Sequence, residues 1–256
     1  RAIGYKSISH DLIFGLPFQN IETMTESINK TKLLRPDRIS FYSYAHVPWV
    51  KGVGQRGFNE NNLPKGDEKR ALYETGKRLL THLGYEEIGM DHFALKSDHL
   101  YKATINKTLH RNFMGYTANT TQVMIGLGMS SISDSWYGFA QNVKTVKDYE
   151  RIVKSGEIPI SKGHILTDED LVIRQHILNI MCQLETSWSS QNLKFSEINN
   201  VLTALKEAKK DGLIQIENDV LKVPEKAKPF IRNICMGFDL RLHKSRPETQ
   251  VFSMTI

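Results

Sequence analysis

The chain has 256 residues, 40% of them apolar and 24% charged, the balance of a folded protein with one or two cores rather than a disordered one. Thirty-four Lys and Arg against 28 Asp and Glu leave a net charge of +6, which suits an anionic partner (nucleic acid, phosphate or a polycarboxylate) without choosing among them. No run approaches the roughly 18 to 20 uninterrupted apolar residues of a membrane helix, and the two cysteines, Cys182 and Cys235, are too few for a disulfide scaffold, so a reducing cytoplasm is the expected compartment.

The chain begins Arg1-Ala2-Ile3-Gly4, without an initiator Met or a charged-then-apolar leader, which reads as a piece of a longer protein. Asp11-Leu12-Ile13-Phe14, closed by Gly15-Leu16-Pro17, predicts a buried strand ending in a loop. A helix follows, capped by Asn20, with Ile21, Met24 and Ile28 at helical spacing until Arg35-Pro36-Asp37 stops it. A second strand over 38–44 completes a βαβ unit, which implies a parallel sheet with function at the carboxyl ends of its strands. Residues 51–65, rich in Gly and Asn, predict an excursion loop, 66–83 a helix, and 86–94 one strand running into a polar, histidine-bearing tip. Between 109 and 129 aromatic residues and glycines show no period, so irregular backbone lining a site is expected there.

The composition changes near Gly163-His164, and a division at residue 165 is expected, with 1–165 and 166–256 as the two domains. Thr167 and Asp170 make a capping box for a helix whose apolar stripe is Ile173, Ile177, Ile180 and Leu184. Ser196 can cap a further helix with Ile198, Leu202 and Leu205 inward and Gly212 as its stop. A hairpin over 213–223 and a last helix over 225–236 complete a winged-helix-like module.

Three constellations carry chemistry. Gly126-Leu127-Gly128 after the apolar Val123-Met124-Ile125 hints at a dinucleotide loop, but the third glycine and the following helix are missing, which favours a close backbone approach or a packed turn. His46, His92 and His110 each end an apolar or strand-like segment. No HExxH spacing or acid partner supports a metal, and Arg111 beside His110 favours an anionic ligand held by a guanidinium. The carboxyl-terminal lysines (Lys206, Lys209, Lys210, Lys222, Lys226, Lys228) would suit DNA on a winged helix. The Arg, Asn and Gln expected of base readout are missing from the helix after Ser196, so no nucleic-acid partner is expected.

DLIFGLP (11–17), SYAHVP (43–48), GMDHFA (89–94), LHRNFMGYT (109–117), GLGMSSIS (126–133) and RNICMGFD (232–239) together resemble the oxygen-independent coproporphyrinogen III oxidases of the radical S-adenosylmethionine superfamily, essentially end to end. The first motif is shared by many radical enzymes; GMDHFA, LHRNF-x-GYT and RNICM-x-FD are specific to the oxidase and argue against its relative, a haem-binding chaperone. The resemblance implies a cytoplasmic, monomeric enzyme that converts two propionates of coproporphyrinogen III to vinyl groups, giving protoporphyrinogen IX. It also implies a partial α/β barrel followed by a mostly helical domain. The family's [4Fe–4S] cluster, held by a CxxxCxxC motif, generates a 5′-deoxyadenosyl radical from S-adenosylmethionine. That motif is absent from these 256 residues, so the chain alone is expected to be inactive and without metal ligands, with Cys182 and Cys235 as ordinary buried thiols. By resemblance Asp11, Ala45 and Ile132 contact S-adenosylmethionine, the first through its carboxylate and the others through backbone and apolar contact. His46, His92, His110 and Arg111 are the candidates for the substrate's carboxylates. Ala118, Gly237 and Met254 depart from residues common in the family.

Overall fold

In the computed structural model, which describes residues 1–49, 55 and 57–244, the first apolar run forms β1 (Ser9–Phe14). Asn20 caps α1 (Ile21–Leu34) as the sequence predicts: its side chain accepts from the Thr23 amide at 2.9 Å, and the Thr23 hydroxyl accepts from the Asn20 amide at 3.0 Å. Arg35, in the left-handed region with φ of 43°, ends the helix just before Pro36. β2 (Arg38–Ser43) then pairs in parallel with β1, Ser9 opposite Arg38 through Phe14 opposite Ser43, so the βαβ unit is present. Residues 51–54 and 56 of the expected excursion loop, and Met254, lie outside the described residues.

After α2 (Asp67–His82) the sequence predicts one strand, and the structure has two, β3 (Tyr85–Gly89) and β4 (His92–Leu95). The chain reverses at Met90, whose φ is 45°, and β4 inserts antiparallel between β2 and β3, giving the order β1-β2-β4-β3. A reversal of two residues can join only antiparallel neighbours, whereas a parallel one needs a crossover. α3 (His99–Ile105) follows, capped by Asp98, which accepts from the Leu100 amide at 2.7 Å and from Arg38 at 2.9 Å. Phe14, Met24, Ile28, Ile39, Phe41, Leu72, Tyr73, Leu80, Tyr85 and Phe93 make one core. They come from α1, α2 and one face of the sheet, so alternate strand residues Asp11, Ser40 and His92 belong to the other face.

The chain forms two compact units, Arg1–Asn106 and Lys107–Lys244 in its described part. Residues 107–165 thus group in space with the carboxyl-terminal helices. The division drawn near 165 marks where the sequence pattern turns from strands to helices.

In the second unit, the stretch expected to lack regular structure holds a hairpin of β5 (His110–Asn112) and β6 (Gly115–Thr117), and then β7 (Val123–Met124). Strands of two or three residues are too short to display a period of two. β8 (Ile132–Ser135), β9 (Gly138–Asn142), α4 (Val146–Lys154) and β10 (Ile160–Ile165) follow, the strands forming an antiparallel sheet ordered β10-β9-β8-β7. α5 (Asp168–Gln183) has the expected Thr167–Asp170 capping box. β11 (Glu185–Ser187) then opens a second sheet.

The helix expected from Ser196 is two pieces, α6 (Ile198–Ala204) and α7 (Lys206–Lys210), broken at Leu205. Glu197 rather than Ser196 stands at its start, and the Ser196 hydroxyl donates to Glu169 at 3.4 Å. The predicted hairpin is β12 (Gln215–Glu217) and β13 (Val220–Lys222), turned by Asn218 and Asp219 with positive φ, in a sheet ordered β11-β13-β12. The expected last helix begins as a 3₁₀ turn over 225–230, which contains Pro229, and becomes α8 (Ile231–Met236) before α9 (Leu240–Lys244). A side chain at Gly237 would come within 2.5 Å of Leu205, so the family departure at 237 fits a close approach of these segments. Among the described residues the strands do not close into a barrel; the fold is mixed α/β.

Candidate functional site

The sequence-predicted residues divide between the two units. Asp11, Ala45, His46 and His92 lie in the first, and His110, Arg111 and Ile132 in the second. In the first sheet Asp11 is opposite Ser40 and Ser40 is opposite His92, so the three form a row across β1, β2 and β4 on the face away from α1 and α2. The Asp11 carboxylate is exposed, Ser40 is buried, and His92 meets the Tyr42 ring edge-on at 5.9 Å in the next row. Ser40 and Tyr42 carry no sequence signal, since only the register brings them beside Asp11 and His92.

Ala45 and His46 follow the carboxyl end of β2. The side chain of Gln55 clamps the turn, donating to the Ala45 carbonyl at 2.9 Å and accepting from the Val47 amide at 2.7 Å. Ala45 therefore offers its methyl and amide more readily than its carbonyl. His46 meets Glu60 through Nε2 at 2.9 Å and stacks on Tyr44, while its buried Nδ1 has no hydrogen-bond partner among the described residues. Beneath this turn Lys69, half-buried, donates to the Tyr44 carbonyl at 3.3 Å, and burial lowers its pKa.

In the second unit Arg111 and Tyr116 are opposite one another in the β5-β6 hairpin, with the guanidinium 4.9 Å from the ring centre. The Tyr116 hydroxyl donates to the Met181 carbonyl at 3.0 Å and fixes the hairpin on α5. Among the described residues Arg111 Nη1 is buried without a hydrogen-bond partner, and no carboxylate is within ion-pairing distance of Arg111. Burial pushes the thiols of Cys182 and Cys235 up to about 12, only partly offset by the nearby Arg111 cation, so both are inert at neutral pH. His110 lines a cavity of about 230 Å³ with Lys107, Trp136, Gln175, Asn179 and Cys182. Burial holds its pKa below the usual imidazole value, and Arg174 lowers it further against the opposing charge of Asp134.

Arg174 itself carried no sequence signal. From α5 it pairs with Asp134 at 2.7 Å, donates to the Ser135 and Trp136 carbonyls at 2.7 and 3.1 Å, and lies over the rings of Trp136 and Phe139. Ile132 opens β8, and the close approach anticipated for the glycine run is to this residue: a Cβ on Gly126 would lie 2.7 Å from the Ile132 carbonyl oxygen. The Asn142 side chain binds the Gly126 and Gly128 carbonyls at 3.1 and 2.9 Å. The glycine run is thus a packed turn, with β7 antiparallel to β8 and no helix positioned to receive a pyrophosphate.

No family model matches the chain. Among solved structures it is similar to coproporphyrinogen III oxidase from Escherichia coli, described as a radical SAM enzyme, with a TM-score of 0.88 and 35% identity over 94% of this chain and 57% of that one. The likeness defines a class: an α/β chain with the fold of part of a radical SAM enzyme. Curated oxygen-independent coproporphyrinogen III oxidases match along the whole chain, the Synechocystis protein at 38% identity and the Escherichia coli protein at 35%. The chain is homologous to the carboxyl-terminal part of these oxidases. It spans about half the length of the curated relatives it matches, 56% and 57% of these two.

Proposed function

We propose that the protein containing this chain performs the oxygen-independent oxidative decarboxylation of coproporphyrinogen III to protoporphyrinogen IX, as a cytoplasmic monomer using S-adenosylmethionine. The observation that carries this reading is the whole-chain similarity to named oxidases together with the TM-score of 0.88. None of the helices described is long and apolar enough to cross a membrane. In this reading residues 1–165 hold the last part of an α/β barrel with its site-lining loops, and the order α5, β11, α6, α7, β12, β13 supports a winged-helix-like arrangement after it. The porphyrin-binding chaperone and the nucleic-acid binder are not favoured.

The residues present do not fit a [4Fe–4S] cluster. There are two cysteines, both with strongly raised pKa values, and no group of three metal-binding side chains occurs among the described residues. No step through a cluster is assigned to these 256 residues, which alone are expected not to reduce S-adenosylmethionine. Asp11, exposed on the sheet face away from α1 and α2, would accept hydrogen bonds from ribose hydroxyls or an ammonium group, with Ala45 and Ile132 giving apolar and backbone contact.

His46, His92, His110 and Arg111 would serve the substrate's carboxylates. Two of its four propionate side chains lose their carboxylates as carbon dioxide and become vinyl groups, and two remain. A guanidinium on a departing carboxylate would stabilise the ground state and slow the reaction. Arg111, with a buried donor unspent, is best suited to a propionate that remains. The test is an anaerobic assay of the intact protein with S-adenosylmethionine and a reductant, following protoporphyrinogen IX. Arg111→Ala should raise KM roughly 10- to 100-fold with little change in kcat. An unchanged KM removes Arg111 from the site, and no decarboxylation by the intact, cluster-loaded protein overturns the reading.

A further inference from the structure

Lys69 stands in the first turn of α2 beside Asp67 and Glu68, where the exposed amides of a helix favour anions and disfavour a cation. It is half-buried, and no carboxylate of the described residues lies within ion-pairing distance of it. Its stem crosses the end of β1 at Gly15, which has a φ of 85°; a Cβ there would lie 2.9 Å from Lys69 Cε. Its ammonium reaches the Tyr44 carbonyl just beyond β2 at 3.3 Å, which uses one of three protons. The cation is therefore held at the carboxyl ends of two parallel strands, the edge where open α/β sheets bind ligands. An unfavourable helix position, partial desolvation and a charge with no carboxylate partner among the described residues each cost stability, and such local conflicts concentrate at functional sites.

We propose that Lys69 is a binding residue of this edge: its ammonium receives a ligand carboxylate, while its bond to Tyr44 holds the start of the Ala45–His46 turn. The proposal rests on the function proposed above, which offers two sources of that carboxylate, a propionate of the porphyrinogen or the amino-acid end of S-adenosylmethionine.

Two probe pairs separate them in the intact protein: coproporphyrin III with its tetramethyl ester, and S-adenosylhomocysteine with 5′-methylthioadenosine. Lys69→Met should weaken the carboxylate-bearing member of one pair at least tenfold and leave its carboxylate-free counterpart within about twofold, and Lys69→Arg should restore most of the loss. The affected pair names the source. Equal weakening within both pairs, or none in either, overturns the proposal while leaving the function standing. If wild type binds no member of either pair, the function itself falls and the proposal with it. Should Lys69→Met melt early, Lys69→Gln, which keeps a donor, carries the same comparison.

Discussion

Replacing Arg174 by Met should be among the most damaging single changes in the second unit. Its guanidinium is the ion-pair partner of Asp134, at 2.7 Å, with side-chain exposures of only 16% and 7%. Removing one partner of such a pair leaves a buried charge uncompensated, which costs about 3–5 kcal/mol. The Met stem keeps part of the contact with Trp136 and Phe139, and the Ser135 and Trp136 carbonyls sit at a turn that water can reach, so these losses add little. With a urea slope of about 2 kcal/mol/M, the midpoint should fall by roughly 1.5–2.5 M. Tryptophan fluorescence reads this well, because Trp136 and Trp188 lie in the second unit and Trp49 in the first. Arg174→Met combined with Asp134→Leu should recover part of the loss, since no unpaired charge remains. The His110 pKa, followed by NMR, should rise in Arg174→Met because a repelling cation is gone while Asp134 stays. A loss below about 1 kcal/mol, or a double variant no better than the single, would refute the reasoning.

His176 is fully buried, and the Leu193 carbonyl, which can only accept, makes Nε2 the donor at 2.9 Å, so Nδ1 accepts from the Thr186 hydroxyl at 2.8 Å. Burial lowers its pKa from 6.5, so on acidification the unfolded chain takes the proton first. Stability should therefore fall as pH drops through 6.5 toward the depressed folded value; His110 adds the same sign. The wild-type slope between about pH 5 and 8 should exceed that of His176→Gln in urea unfolding, and equal slopes would contradict the assignment. Gly76→Ala should destabilise by about 1–3 kcal/mol in thermal or urea melts despite its better helix propensity. Its Cβ would lie 2.3 Å from Phe41, which is locked between Phe14, Tyr73 and Phe93. A neutral or stabilising result would mean that this aromatic cluster yields.

Much of the first unit was legible as local pattern. Strand, capped helix and strand up to Ser43 need only neighbours in sequence: Asn20 three residues before Thr23, and apolar residues at helical spacing. The Thr167–Asp170 box was readable for the same reason. The motifs between 11 and 239 also identified the relatives, because a string of residue types in order survives without any knowledge of the fold. Illegible were features made by long-range pairing. The insertion of β4 between β2 and β3 depends on which edge the reversal at Met90 meets. His176 falls on the same stripe as Ile173 and Ile180, yet its burial is tolerable only because Thr186 and Leu193 arrive from later in the chain.

By itself, then, the sequence determined the first βαβ unit, the caps at Asn20 and Thr167 and the set of charged and imidazole side chains available, since these follow from propensity and spacing over a few residues. Tertiary structure alone decided which of those residues share an environment. Register puts Asp11, Ser40 and His92 in one row, burial leaves a donor of Arg111 unspent, and the crossing at Gly15 carries the Lys69 cation to the end of two strands. The reason is physical: spacing along the chain sets which face a side chain occupies, but its charge partners and its access to water are set by segments far away in sequence.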